Sequence, residues 1–349
     1  MHDALSGCDP MELYRAARRA VPSKPDAIPG SMSGSYHQNV RVDIPGGPVL
    51  VRIPLPRADQ MDLRVWNEWE VLGTVAHRVE RVPRLLHVSA DPPFQIHEFI
   101  SGGQLNELAP RGRRVPPTVI PDVLVLFEQL GAIRRADLPA LPAHWPEDGN
   151  CVAFAHLVSA ATQRVYDDHR ERFGPLQRAL GIPDDPLAPV RAAWPALASR
   201  PFRVLHADVH RRNIVMSVRG AVFLDWELAL WGDPLYDLAV HLNKMTYLDD
   251  ERRALLSGWA AGAGPATGWS ADLTAYLRHE RVKAAIVHSI RYPKEIAAAG
   301  TTAARRRTLV RKLTGNLNAA ASTWNTSGPP LDPHDVDRLL SRWGAGAVS

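Results

Sequence analysis

Apolar and polar positions near the start of the chain predict a helix followed by a small sheet. Asp9-Pro10-Met11-Glu12 combines an N-cap, an early proline and an acidic residue, so a helix is expected up to about residue 20. Residues 36–43 alternate between apolar and polar types, and after a Pro-Gly-Gly-Pro turn residues 49–53 return as a second strand. Residues 94–100 are expected to form an edge strand.

Helical periodicity is typical of much of the remaining chain. Met61, Val65, Leu72 and Val75 form one apolar stripe, which predicts a helix over residues 59–78. Further helices are expected at 121–136, 235–247, 271–289 and 301–324, with a proline-punctuated helical segment at 139–201 and a short helix in the tail after residue 327.

Three short β-prone runs lie in the centre of the sequence, at 202–205, 214–217 and 221–224. A polar loop, 206–213, separates the first two runs. Val218-Arg219-Gly220 joins the last two as a three-residue hairpin connection, with glycine where positive φ is easiest.

The register of this hairpin is expected to gather oxygen-bearing side chains. If residue 217 faces residue 221, Asn213 faces Asp225, and opposed residues on antiparallel strands lie roughly 4.5–5.5 Å apart. Asp208 precedes Asn213 in the same loop. Each residue alone would more often be a turn or cap device. Together they are hard oxygen ligands that suit Mg²⁺, which completes its octahedron with water and phosphate oxygens.

Several motifs now occur in order: H-x-D-x-x-x-x-N at 206–213, the hairpin, D-W-E at 225–227 and G-D-P-x-Y-D-L-A at 232–239. This order resembles the catalytic core of the aminoglycoside phosphotransferase family, small-molecule kinases of the protein-kinase-like fold. The resemblance implies an α+β, two-lobed fold. Its N-lobe, residues 1–100, would carry a small antiparallel nucleotide-binding sheet and one helix, and its C-lobe, residues 101–349, would be larger and mainly helical.

Carried over by position, the resemblance gives the loop residues their roles. Asp208 would accept the proton of the substrate hydroxyl, and Asn213 and Asp225 would hold Mg²⁺. His210 is a second catalytic candidate, because kinases often keep a cation near the γ-phosphate at that position. His206 follows an apolar strand and is more consistent with a hydrogen-bonded structural histidine.

The chain departs from the family pattern at two places in this loop. Ala207 stands where the family usually has glycine, and Arg211-Arg212 stand where it usually has a Pro-Gly pair. The arginines are expected to make the phosphate surroundings more basic. Asp233-Pro234 predicts a helix start, and Asp237 is expected to hold the loop or cap that helix.

Arg52 is the one cation on the strand 49–53, where related kinases carry Lys or Arg, and a guanidinium can bind phosphate oxygens with two hydrogen bonds. At about 100° per residue, Glu68 falls inside the apolar stripe of the next helix, whereas Glu70 points away. A carboxylate on an apolar face needs a partner. We therefore expect an ion pair between Glu68 and Arg52 that orients the arginine towards ATP.

Two further nucleotide contacts follow from the resemblance. Ser33, Gly34 and Ser35 precede the first hairpin, where kinase-like folds place a loop over the phosphates of ATP; a plain turn would explain them equally well. Glu98 and Ile100 occupy the position of the hinge, whose backbone groups pair with adenine. ATP is the expected phosphoryl donor, with GTP as the alternative.

Composition excludes several other classes of protein. The apolar fraction of 45% and charged fraction of 22% are ordinary for a globular protein. No apolar run approaches the roughly 18 residues of a membrane span, and the N-terminus lacks the pattern of a signal peptide, so a cytoplasmic monomer or homodimer is expected. The net charge of +4 comes with no nucleic-acid motif.

The expected activity is transfer of a γ-phosphoryl group to a hydroxyl of a small molecule. An antibiotic is favoured as acceptor, whether an aminoglycoside, a nucleoside or another hydroxylated natural product, although the chain is not rich in the acids that bind polycations. A metabolite kinase acting on choline, a sugar or an amino alcohol remains an alternative, as does a non-catalytic nucleotide-binding regulator. A protein kinase is disfavoured because only eleven residues separate Asp225 from Asp237, too few for an activation segment.

Overall fold

The structure is a computed structural model that describes residues 5, 7–20, 37–55, 60–262, 268–325 and 329–346. Its strands are β1 (His37–Ile44), β2 (Gly47–Pro54), β3 (Leu85–Ala90), β4 (Pro93–Glu98), β5 (Gly103–Gln104), β6 (Arg203–Leu205), β7 (Ile214–Ser217), β8 (Gly220–Phe223) and β9 (Leu230–Gly232). Its helices are α1 (Pro10–Ala20), α2 (Glu68–Val75), α3 (Leu105–Leu108), α4 (Val119–Gly131), α5 (Cys151–Asp168), α6 (Arg170–Ala179), α7 (Ala188–Arg191), α8 (Pro234–Met245), α9 (Asp249–Gly262), α10 (Trp269–Ala297), α11 (Ala303–Trp324) and α12 (Pro333–Gly346).

The N-lobe is an antiparallel sheet in the order β1-β2-β4-β3, covered by α1. Leu13 and Ala17 of α1 are buried against Val51 and Phe94 in a core of their own. The predicted helix and first hairpin are confirmed. The strand predicted at 94–100 is confirmed as β4, but its placement at the edge of the sheet is wrong, because β3, which the sequence pattern did not single out, pairs with the outer side of β4.

Helix α2 is much shorter than the predicted helix over 59–78 and begins only at Glu68. A capping box fixes this start, since the side chains of Asn67 and Glu70 bond each other's backbone N–H groups. Residues 60–67 are not helical, and Trp66 is buried there with its Nε1 donating to the carbonyl of Ala140 at 2.9 Å. The apolar stripe that suggested a longer helix is thus shared between a buried irregular segment and α2.

The C-lobe is built around α10, a helix of 29 residues that packs on α5, α8 and α11. The large side chains Trp194, Trp226 and Tyr276 are fully buried in its core. The structure confirms the α+β, two-lobed, kinase-like fold, and it confirms helices near each of the positions that periodicity predicted. In the described part of the chain, every helix is too short or too polar to cross a membrane.

The register of the central hairpin, β7–β8, differs by one residue from the predicted one. Ser217 pairs with Gly220 and Ile214 with Phe223, so the turn has two residues and not three, and Asn213 does not lie directly opposite Asp225. Gly220 has φ of +98°, and a Cβ there would lie 2.9 Å from a carboxylate oxygen of Asp122. That carboxylate accepts the N–H of Ala221 at 2.9 Å, which fixes the register where β8 begins.

Candidate active site

The loop between β6 and β7 is held by hydrogen bonds to α8. The two carboxylate oxygens of Asp237 accept the backbone N–H groups of His206 and Ala207, each at 2.9 Å, as the predicted role of Asp237 requires. Asp233 caps α8 by accepting the N–H of Leu235 at 3.0 Å. His206 is structural, since its Nε2 lies 3.1 Å from the carbonyl of Leu224 and burial lowers its pKa to about 4.

Ala207 explains why the family favours glycine at its position. Its φ of 57° lies in the left-handed region, which costs an L-residue with a Cβ roughly 1–2 kcal/mol. The turn is needed because the backbone must present two consecutive N–H groups to Asp237 and then aim Asp208 out of the loop. The strain is tolerated here because the buried hydrogen bonds of that turn outweigh it.

Asp208 and Asn213 lie side by side. Asn213 donates through Nδ2 to Oδ2 of Asp208 at 3.0 Å and to the carbonyl of Asp208 at 3.1 Å. The Nζ of Lys244, at the end of α8, bonds Oδ1 of the same carboxylate. Lys244 is a functional candidate that sequence reasoning missed, because it lies outside every motif and meets Asp208 only through the fold.

The Nε2 of His210 lies 3.6 Å from Oδ1 of Asp208. Burial lowers its pKa below the ordinary value, despite the nearby charge of Asp208. Its Nδ1 accepts the backbone N–H of Arg212 at 3.1 Å, which uses the ring to shape the loop. The geometry therefore gives this residue an orienting position beside Asp208, where burial disfavours the positively charged form of its ring.

Asp225 meets Arg52 at the boundary of the two lobes. Asp225 follows β8 with φ of 68°, and its Oδ1 accepts from Nη2 of Arg52 at 2.8 Å. Burial works against the ionised carboxylate, yet the charge of Arg52 outweighs it and lowers the pKa of Asp225. Nη2 of Arg52 also lies 3.1 Å from Glu68, so the predicted ion pair is present in the structure.

Glu227, in the D-W-E motif, is a second residue whose importance the sequence did not reveal. Its Oε2 lies 2.8 Å from Nη2 of Arg64 and 3.0 Å from Nδ1 of His37. Burial and the nearby charge of Asp225 raise the pKa of Glu227 to about 8. The carboxyl groups of Asp225 and Glu68 thus contact Arg52, and that of Glu227 contacts Arg64.

The donor atoms fit a cation that uses few protein ligands. Asn213 donates through Nδ2, which leaves its Oδ1 for a metal, and Asp225 uses Oδ1 for Arg52, which leaves Oδ2. The N–H of Leu224 bonds the carbonyl of Asn213 at 2.8 Å, so Asn213 faces the residue immediately before Asp225. No cluster of three His, Cys, Asp or Glu residues suited to a metal occurs among the described residues. Mg²⁺ suits such a site because phosphate and water oxygens complete its shell.

The remaining predicted residues have mixed outcomes. Ser33, Gly34 and Ser35 lie outside the described residues. Glu98 ends β4, and its N–H donates to the carbonyl of Arg84 at 2.8 Å, so an adenine contact at Glu98 would use the carbonyl; Ile100 follows without regular structure.

The expectation that Arg211 adds charge beside the phosphates is wrong. Its guanidinium is buried and donates to the carbonyls of Ala109, Met245 and Arg113 at 2.6, 2.8 and 3.1 Å. These three carbonyls occupy its hydrogen-bond donors. It ties the loop to α3 and α8, whereas Arg212 next to it is exposed.

Comparisons with known proteins agree with this geometry. The model of the family described as "Phosphotransferase enzyme family" (APH) matches residues 31–273. No curated protein sequence matches the chain. A putative aminoglycoside phosphotransferase from Ralstonia eutropha JMP134 is similar in structure, with a TM-score of 0.59 and 15% identity over 92% of this chain and 99% of that one.

Two further solved structures are similar at the same level. A choline/ethanolamine kinase family protein from Mesorhizobium loti has a TM-score of 0.56 and 15% identity, over 96% of this chain and 99% of that one. A thermostable mutant of aminoglycoside phosphotransferase APH(4)-Ia, in a ternary complex with AMP-PNP and hygromycin B, has a TM-score of 0.51 and 16% identity, over 92% and 95% of the two chains. At such identities the structural likeness shows the fold alone.

Proposed function

The chain belongs to the phosphotransferase enzyme family, and from this premise we propose that it transfers the γ-phosphoryl group of ATP to a hydroxyl group of a small molecule. The observation that carries the proposal is the pairing of Asp208 with Asn213 at 3.0 Å in a loop fixed by Asp237. A carboxylate held at that point is able to accept a proton from a hydroxyl, and its neighbour keeps an oxygen for a cation.

In the proposed reaction, Asp208 accepts the proton of the acceptor hydroxyl. The oxygen of that hydroxyl forms a bond to the γ-phosphorus at the same time. The bond from phosphorus to the β–γ bridging oxygen breaks, and ADP leaves. Lys244 and Asn213 orient the carboxylate, and Arg52 would bind phosphate oxygens from the N-lobe. A bound Mg²⁺ would supply positive charge to the phosphates, and Asn213 and Asp225 are the residues that would hold it.

We propose an antibiotic or a comparable hydroxylated natural product as the acceptor. Phosphorylation of one hydroxyl removes a hydrogen-bond donor and adds negative charge, two changes that alter how such a compound is recognised. The similar structure of aminoglycoside phosphotransferase APH(4)-Ia, which holds AMP-PNP and hygromycin B together, supports this class of substrate.

The test is ADP release with Mg²⁺ and ATP across a panel of hydroxylated antibiotics, sugars and amino alcohols. Asp208→Asn should lower kcat at least about 100-fold while leaving ATP binding intact, since general base catalysis contributes that much. Asp184→Asn, an exposed aspartate of the C-lobe, is the matched control and should retain full turnover. Tight ATP binding with no turnover on any compound would favour a regulatory protein instead.

A further inference from the structure

Positive charge collects on the C-lobe side of Asp208 beyond what the proposed reaction uses. Arg212 is exposed four residues after Asp208 in the same loop. Lys244 contacts Asp208 from the end of α8. Arg111 lies against that same helix end, with its Nη2 3.3 Å from the carbonyl of Lys244 and 3.5 Å from that of Asn243.

Lys312 extends this group of cations from α11. It lies one turn before Asn316, whose Nδ2 lies 2.7 Å from Nδ1 of His288 on α10. His288 stacks on Tyr292 with ring centroids 4.5 Å apart. Burial lowers the pKa of Lys312, and the positive charges of Arg212, Arg305 and Arg111 lower it further. We refer to Arg111, Arg212 and Lys312 as the basic rim.

Acidic residues do not neutralise the basic rim. In the part of the chain that the structure describes, no carboxylate lies within 4 Å of the charged groups of Arg111, Arg212 or Lys312. Glu295, the acid whose charge acts on Lys312, is bonded to Arg305 at 2.5 Å. Asp62 forms ion pairs with Lys283 at 3.0 Å and with Arg291 at 3.3 Å.

Like charges gathered without counter-charge repel one another, and an arriving anion relieves that repulsion. A polycation or a quaternary ammonium group would instead be repelled by these positive charges. The unneutralised positive charge therefore favours anionic acceptors over cationic ones.

We propose that the basic rim binds an anionic group of the acceptor, a carboxylate or a phosphate, while the hydroxyl to be phosphorylated lies at Asp208. This inference rests on the proposed function and narrows it to hydroxylated acceptors that carry an acid. Arg52 serves the nucleotide from the N-lobe, whereas the basic rim comes from the catalytic loop, the segment before α4 and α11 of the C-lobe. The two sets of cations thus approach from opposite lobes, which assigns the basic rim to the acceptor.

The first experiment uses sulfate as the anion probe on protein saturated with AMP-PNP and Mg²⁺. Sodium sulfate is titrated at constant ionic strength, balanced with sodium chloride, and thermal unfolding is followed. Wild type should show a saturable rise in Tm. The double variant Arg212→Gln/Lys312→Gln should bind sulfate at least about tenfold more weakly, the scale of one charge-assisted contact. Arg311→Gln, an exposed neighbour on α11, is the matched control and should behave as wild type.

The second experiment compares glucose, glucuronate and glucosamine, which share a ring but differ in charge, in the same assay. Glucuronate should half-saturate at a concentration at least about tenfold below that of glucose, with glucosamine weakest, and the double variant should lose this order. Equal binding of the three sugars, or no sulfate effect in wild type, would overturn the proposal. Weaker AMP-PNP binding in the double variant, by the same factor as sulfate, would overturn it too, because the basic rim would then serve the nucleotide. Failure of the phosphotransferase proposal is distinct: no compound of the panel stimulates ADP release, whether or not AMP-PNP binds.

Discussion

Arg52 forms ion pairs with carboxylates of both lobes, Glu68 of the N-lobe and Asp225 of the C-lobe. It is buried on β2, and both Glu68 and Asp225 lie within hydrogen-bonding distance of its Nη2. Burial opposes its charge, but these two carboxylates raise its pKa above the ordinary value, so it stays a cation. Oε1 of Glu68 also accepts the N–H of Trp226 at 3.0 Å. Glu68 thus positions both Arg52 and the residue that follows Asp225.

Glu68→Gln should raise the KM for ATP about tenfold, because it keeps an oxygen for Trp226 but removes the charge that orients Arg52, a loss of about 1.4 kcal/mol. Steady-state kinetics at saturating acceptor would measure it. Glu70→Gln on the same helix is the control: its side chain serves the capping box at Asn67, which glutamine also satisfies. Equal KM values in the two variants would contradict a positioning role for Glu68.

Residues within one continuous motif could be located from the sequence, whereas partners that meet through the fold could not. The spacing of Asp208 and Asn213 is set by a single loop, so the motif was sufficient to bring them together. Lys244 reaches Asp208 only because α8 ends beside that loop, and Arg211 turns away only because carbonyls of α3 and α8 surround it. No local pattern encodes where a helix ends relative to a loop earlier in the chain.

Helix α8 is the element that holds the loop 206–213 in place. Besides Asp237, it contributes His241, which is fully buried. Nδ1 of His241 lies 2.9 Å from the carbonyl of Val209, and Nε2 lies 3.0 Å from the hydroxyl of Tyr247. A neutral ring that donates from Nδ1 and accepts at Nε2 satisfies both contacts. Burial lowers the pKa of His241 to about 4, in keeping with that neutral form.

The depressed pKa of His241 predicts acid destabilisation of this element. Between pH 6.5 and 4 the unfolded chain binds a proton at this histidine and the folded chain does not, so its contribution to stability is lost as pH falls. Its share should be about 2 kcal/mol between pH 7 and pH 5. His241→Gln, which keeps a donor and an acceptor without titrating, should remove that share. Urea unfolding at both pH values measures the difference; parallel pH profiles of wild type and variant would refute it.

At the element level, periodicity identified the positions of helices better than their limits. The stripe from Met61 to Val75 was correct in its buried residues but wrong in its conformation over 60–67, where burial of Trp66 and the capping box at Asn67 decide the helix start. The hairpin register failed by one residue because a contact with Asp122, distant in sequence, fixes β8. Tertiary contacts decided both points, and the sequence window does not contain them.

At the scale of the whole molecule, polar contacts around the site join the two lobes, and Leu72 and Val75 of α2 also pack into the core of the C-lobe. Arg52 and Glu68 of the N-lobe contact Asp225 and Trp226 of the C-lobe, and Arg81 bonds Asp122. A nucleotide bound between the lobes would add contacts to both sides at once. Ligand binding should therefore stabilise both lobes together. The part of that stabilisation that needs the metal should depend on Asn213 and Asp225, the proposed metal ligands beside the hairpin.

AMP-PNP with Mg²⁺, at 100 times its dissociation constant, should raise the free energy of unfolding by about 2.7 kcal/mol. Replacing Mg²⁺ by EDTA should reduce that gain, because the phosphates would then face Asp225 and its neighbouring carboxylates without a counter-ion. In Asp225→Asn, the gain with Mg²⁺ should be no larger than the gain in EDTA, whereas Asp184→Asn should keep the full difference. Thermal and urea unfolding of the three proteins, each with and without metal, measure this. A metal-dependent gain that survives in Asp225→Asn would mean that the cation is held elsewhere, and that the hairpin is not the metal site.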